Sequence, residues 1–148
     1  YVTRSLTHSL THSLTHRYTA CAMLDLAMHS RSDYAGFDMS EFEEAELSRL
    51  GMPQGIVMRH RPTHFQHLFS GSHYASSYYV YLWAEVLDAD VFAAFEESAN
   101  GVFDPAVAAK ARAHIYSQGN MVAPDELFRR FRGRDPDIKY MLKKKGLE

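Results

Sequence analysis

The run HFQHLFSGSHYASSYYVYLWAEVLDADVF at residues 64–92 constrains this chain more than any other stretch. It holds four of the nine tyrosines, Tyr74, Tyr78, Tyr79 and Tyr81, together with the sole tryptophan, Trp83. It reads as a loop feeding a helix. At about 100° per residue, Tyr74, Tyr78, Tyr81 and Glu85 fall on one narrow face, while Tyr79, Leu82, Trp83, Val86 and Leu87 cover the other sides. A helix that is apolar nearly all round belongs in a core, so residues 78–95 are expected to be buried. Its one polar face then presents phenol hydroxyls and a carboxylate from inside, and buried hydroxyls need a partner in the protein or in a ligand. Simple core packing also produces an aromatic stripe at this spacing. The preceding loop adds His67, Gly71 and His73 beside the stripe, where chain outside regular structure can carry polar groups to a substrate.

A chain of 148 residues, 46% hydrophobic and 23% charged, has the make-up of one globular domain with a real core. The net charge of −2 argues against bulk nucleic-acid binding. The single cysteine, Cys21, sits in an apolar run and has no partner for an internal disulfide, so a buried structural thiol is expected. No apolar run approaches the roughly 20 residues that span a bilayer, and no signal-peptide pattern opens the chain. The expectation is a cytoplasmic protein without membrane contact. Its first residue is Tyr1, and its start is expected to be missing.

Residues 5–16 are three copies of Ser-Leu-Thr-His, a low-complexity segment unlike the rest. As a helix it would line up Leu6, Leu10 and Leu14 on one side and His8, His12 and His16 on the other, since a four-residue repeat drifts only about 40° per copy. Histidines at i and i+4 can chelate a metal. Here no carboxylate completes a coordination sphere, and the segment, residues 1–17, reads as an artefact of how the sequence arose.

From residue 18 to 29 the run is apolar on almost every side with Asp25 its one charge, a buried helix continuing from the repeat. Ser40 and Glu43 have the spacing of a capping box for a helix that Gly51 ends, and Glu41, Glu43 and Glu44 read as a solvated acidic face. Arg59 and Arg61 precede the loop and suit salt bridges to neighbouring helices. Further on, Asp104 and Pro105 open a helix closed by Gly119, Pro124 opens one closed by Gly133, and Asp135 and Pro136 open one closed by Gly146. Arg129, Arg130, Arg132, Arg134 and Lys143–Lys145 lie toward helix C-termini, where cations suit the dipole. No segment alternates with β-branched enrichment, so the fold is expected to be all-α.

His67, then Tyr74, Tyr78 and Tyr81, then LWAEV at residues 82–86, resemble the C-terminal part of the thimet oligopeptidase family of zinc metallopeptidases. The loop HLFSGSHY at residues 67–74 is most similar to the peptidyl-dipeptidase (dipeptidyl carboxypeptidase) and oligopeptidase A branch. The resemblance continues through YTACAMLDLAMHS, LGMPQGIVMRHRP, FDPAV and FRGRDPDIKYMLKKKGL, and covers residues 18–147.

The resemblance implies a helical C-terminal subdomain of a peptide-hydrolysing enzyme that uses zinc, held in the family by an H-E-x-x-H helix and a later glutamate. The nine histidines here include no such pair, so the zinc-binding portion is expected to lie in a missing N-terminal part, with no cofactor in this chain and no activity alone. By resemblance, Tyr81 is the catalytic oxyanion donor, while His67, Tyr74 and Tyr78 hold short peptide substrates. Two departures touch this set. His73 stands where relatives carry glycine, and Ser76 and Ser77 replace a segment often Ala-Gly, which puts the placing of Tyr74 in question. The alternative is a non-catalytic helical binding or assembly module descended from such a peptidase. On the fragment reading the apolar helices at 18–29 and 78–95 lack part of their cover, and a homodimer is expected.

Overall fold

A long first helix, α1, runs from Val2 to His29, so the helix expected over residues 18–29 reaches back through the Ser-Leu-Thr-His repeat. The computed structural model describes residues 2–53 and 55–147, and only the backbone of residues 2–14. The side chains of Leu6, Leu10, Leu14, His8 and His12 therefore lie outside the described residues. The chain divides into two units, residues 1–82 and 83–148. Among the described residues every regular element is helical, which matches the all-α expectation.

In the first unit, α1 buries Ala20, Cys21, Ala22, Leu24 and Met28 against Met58, Phe65, Leu68 and Tyr78. This is the apolar run of residues 18–29 performing as its pattern requires. Cys21 is a free buried thiol; burial pushes its pKa up, although the backbone N–H groups of Arg59 and His60 act in the opposite direction. Helix α2 spans Met39–Arg49. Its cap is Asp38 and not the expected Ser40: Asp38 is extended, and its carboxylate accepts from the N–H groups of Ser40 at 2.8 Å and Glu41 at 2.9 Å. Glu43 cannot complete a capping box because it turns inward. It is buried and accepts from Arg61 Nε at 3.1 Å, so the acidic run is not wholly a solvated face. At the other end Gly51, with φ +67°, lets its own N–H reach Ser48 O and the Met52 N–H reach Leu47 O, the paired bonds of a Schellman cap.

The tyrosine segment departs most from expectation. It is built from a 3₁₀ turn at Pro62–His64, a short helix α3 at Gln66–Phe69, a second 3₁₀ turn at Ser72–Tyr74, and α4 at Val80–Glu96. Tyr74 and Tyr78 precede α4, so the proposed single-helix stripe of Tyr74, Tyr78, Tyr81 and Glu85 does not exist. Ser76 sits at φ +57°, a left-handed conformation that breaks helical continuity. Nor is residues 78–95 a buried helix: Val80, Tyr81, Trp83 and Phe92 are exposed, and of α4 only Ala89, Asp90 and Ala93 are buried.

In the second unit, α5 (Pro105–Ala111) is capped by Asp104, whose carboxylate accepts the Ala106 N–H at 2.7 Å. It continues as a π-helical turn over Arg112–Tyr116. Helix α6 runs Pro124–Arg132 and ends at Gly133 with φ +77°, as the sequence reads. It buries Leu127, Phe128 and Phe131. The last helix, α7, is Lys139–Lys144 and does not open at Asp135 and Pro136. The Asp137 N–H is bound instead by Asp90 at 2.7 Å, which delays the helix by holding this backbone outside it. The arginines of α6 are spent on carboxylates: Arg129 on Asp125 and Asp135, Arg130 on Glu126, Arg132 on Asp90 and Glu97.

Candidate functional site

All four candidate residues, His67, Tyr74, Tyr78 and Tyr81, fall in the first unit and meet there. The Tyr81 hydroxyl lies 3.0 Å from His67 Nε2 and shares a hydrogen bond with it. The His67 ring stands 4.8 Å from that of Tyr74, 6.2 Å from Tyr78 and 6.0 Å from Tyr81, and the Tyr78 and Tyr81 rings are 5.2 Å apart. Edge and tilted contacts at such separations hold aromatic rings in fixed mutual orientation. His67 is thus the hub of the set.

These side chains separate two cavities. One, of about 460 Å³, is lined by Tyr18, Arg59, His60, His64, Phe65, Gln66 and His67 with Tyr78 and Tyr81. The other, of about 220 Å³, is lined by His73, Tyr74, Ser77 and Val80 with His67, Leu68, Tyr78 and Tyr81. The walls offer phenols, imidazoles and one guanidinium, and neither wall contains a carboxylate. Such a surface donates hydrogen bonds and favours electron-rich oxygens, such as peptide carbonyls.

Exposure divides the tyrosines. Tyr78 is buried and its ring packs on Phe65 at 4.8 Å and Tyr18 at 5.4 Å, whereas Tyr81 is 43% exposed. Burial pushes the Tyr78 pKa up, with Cys21 and Tyr81 adding to the rise and Arg59 opposing it. Its phenol therefore stays protonated, and remains a donor, throughout the neutral range. The His73 ring lies tilted against Tyr74 at 4.3 Å, and a Cβ on Gly71 would meet the His73 ring at 2.7 Å. The bulky residue at 73 is accommodated because residue 71 has no side chain.

Sequence reasoning missed Tyr18, Arg59, His60 and His64 as lining groups. It also passed over Asp25, which is fully buried beneath the tyrosine segment and accepts the Tyr78 N–H at 2.9 Å. One signal was present: a lone carboxylate in an otherwise apolar buried run must have partners. Glu85, assigned to the tyrosine face, instead pairs with Lys145 at 2.9 Å in the second unit.

Among the described residues no group of three His, Cys, Asp or Glu side chains is placed to hold a metal ion. The described residues therefore offer no ligand set that fits a zinc site. No helix of the described residues is long and apolar enough to cross a membrane.

Residues 3–147 match the family model described as Peptidase family M3. Oligopeptidase A of Haemophilus influenzae is 41% identical over 100 residues, covering 68% of this chain and 14% of that protein. Oligopeptidase A of Escherichia coli is 44% identical over 87 residues, 59% of this chain and 12% of that protein. Dipeptidyl carboxypeptidase of Escherichia coli is 33% identical over 131 residues, 86% of this chain and 19% of that protein. The matched stretch is under a fifth of the length of each of these relatives. With the family model spanning nearly all of its residues, and with the aromatic and histidine segment inside the match, the chain belongs to Peptidase family M3.

Proposed function

We propose that this chain supplies a substrate-facing wall of a peptidase of this family, lined by His67, Tyr74, Tyr78 and Tyr81, and that it does not hydrolyse peptides by itself. The observation that carries the reading is the 3.0 Å contact between the Tyr81 hydroxyl and His67 Nε2, on the boundary of both cavities. Tyr81 is exposed enough to meet a substrate, and its hydroxyl is already oriented. A peptide carbonyl arriving there exchanges the His67 contact for a hydrogen bond from Tyr81. That bond strengthens as the carbonyl oxygen gains charge on going tetrahedral, so it stabilises the transition state more than the bound substrate. His67, Tyr74 and Tyr78 hold the extended peptide backbone without adding a net charge. The hydrolytic zinc implied by the family has no ligand set among the described residues.

The test uses the 148-residue chain after chelator dialysis, with zinc restored. A short peptide should shift the ring resonances of His67, Tyr74, Tyr78 and Tyr81 and remain intact, with no stoichiometric zinc retained. Zinc-dependent turnover that survives purification overturns the proposal, and ring resonances unmoved by peptide reduce the tyrosine set to packing.

The exposure of Trp83 at 56% and Phe92 at 52% supports the second reading, an assembly module descended from such a peptidase. It differs in placing the partner on α4.

A further inference from the structure

The backbone that carries the tyrosines is gripped by a carboxylate the proposed function leaves unused. Asp25 lies on α1 with no exposed surface. Its Oδ1 accepts the Ser76 N–H at 3.2 Å, and its Oδ2 accepts the Tyr78 N–H at 2.9 Å. These donors are 51 and 53 residues away in sequence, so a single side chain ties the turn before α4 to the buried face of α1. Ser76, itself the first of the two donors, is left-handed at φ +57°, and that turn brings both N–H groups toward the same anion.

A second residue fixes the carboxylate. His29, one helical turn on, places Nδ1 2.7 Å from Asp25 Oδ1 and 3.0 Å from the Asp25 carbonyl oxygen. A ring nitrogen facing two acceptors carries the proton, so Nδ1–H donates to Asp25. The imidazole is backed by Phe69 at 6.1 Å, on the helix that also bears His67. Tyr78 then passes the constraint forward, because its carbonyl accepts the Tyr81 N–H at 3.3 Å as α4 begins.

We infer that Asp25, oriented by His29, is a positioning residue for Tyr78 and Tyr81, setting where both phenols stand relative to His67. The inference rests on the proposed substrate-facing role of those tyrosines, but its mechanical core is independent of it. A charged acceptor binds two backbone N–H groups more strongly than a neutral one, and its two oxygens can each take one, which explains a buried carboxylate where an apolar residue would pack. In Asp25→Asn the amide oxygen can accept one of the two N–H groups, and its NH₂ faces the other as a second donor.

The test is amide hydrogen exchange and proton resonance on the whole 148-residue chain, comparing wild type, Asp25→Asn and His29→Ala. Exchange at whichever of Ser76 and Tyr78 faces the new NH₂ should accelerate at least about tenfold in Asp25→Asn, the factor expected for one lost hydrogen bond to a charged acceptor. Leu24 and Met28 should be unchanged, and the ring-to-ring contact of Tyr81 with His67 should weaken. His29→Ala keeps the carboxylate and should give a smaller change at the same two amides. It answers the question if Asp25→Asn does not fold. Unchanged protection at 76 and 78 in a folded variant overturns the inference, as does acceleration spread evenly over α1 and the turn. Peptide is absent from this experiment, so failure of the peptide-binding reading is scored separately.

Discussion

Arg134 meets Asp90 as a two-pronged fork: Nη1 donates to Oδ2 and Nη2 to Oδ1, each at 2.7 Å. Arg132 Nε adds a third bond at 2.8 Å and the Asp137 N–H a fourth at 2.7 Å, all on a carboxylate with no exposed surface. Within the second unit this one side chain joins α4 to the end of α6 and the approach to α7. Removing the charge strips Arg132, whose side chain is 8% exposed, of its buried counter-ion and leaves it the half-exposed Glu97. Asp90→Ala should cost roughly 3–5 kcal/mol in urea unfolding, the range for breaking one half of a buried pair. A change under about 1 kcal/mol, the scale of an exposed pair, would contradict the assignment.

The same residue sets an acid limit. Burial pushes the Asp90 carboxyl up, but the Arg134 hydrogen bonds, the Asp137 N–H and the charges of Arg132 and Arg134 outweigh it and hold the carboxyl below its usual range. A folded pKa below the unfolded one means the contribution is complete above about pH 4 and is lost as pH falls through the folded value. Stability measured from pH 7 down to pH 2 should therefore fall at the acid end in the wild type, and fall less steeply in Asp90→Asn.

Ser76 is the one non-glycine residue at positive φ among the described residues. A left-handed conformation costs an L-residue roughly 1–2 kcal/mol; glycine escapes that cost, but its greater freedom when unfolded offsets part of the gain. Ser76→Gly should raise stability by about 0.5–1 kcal/mol, because the N–H bound by Asp25 is retained. A lower thermal midpoint would show that the serine side chain contributes more than its backbone strain removes.

What could be read from the sequence was whatever is signalled locally. Gly51 and Gly133 ended their helices, Pro124 opened one, and the apolar run of residues 18–29 became the centre of the first unit's core. His67 and the three tyrosines did converge, but not through helical periodicity. The spacing from Tyr74 to Tyr81 mimics a helix, and the break at Ser76 comes from Asp25 taking two N–H groups that a helix would have used. A partner more than fifty residues away leaves no mark on local pattern. The same holds for Glu43, which looked like surface charge until Arg61 met it, and for Asp137, whose N–H went to Asp90 and not to a helix start.

On α4 the side chains of Trp83 and Phe92 are open, and so are Phe103 and Met121 elsewhere in the second unit. The chain by itself is expected to sediment as a homodimer at micromolar concentration, the twofold arrangement by which one patch covers its own copy. Trp83→Ser should shift it toward monomer. A wild-type monomer at that concentration would contradict the expectation.

The most direct test of the substrate-facing wall is a kinetic one. Residues 64–82 of this chain can replace the matching stretch of Escherichia coli oligopeptidase A, and the chimera can be compared with its Tyr81→Phe form on a short peptide. Loss of an oxyanion donor predicts a fall in kcat of about 10²-fold or more with KM little changed, since the bond is made in the transition state. An active chimera whose kcat is unaltered by Tyr81→Phe would contradict the account and leave Tyr81 as a packed aromatic beside His67.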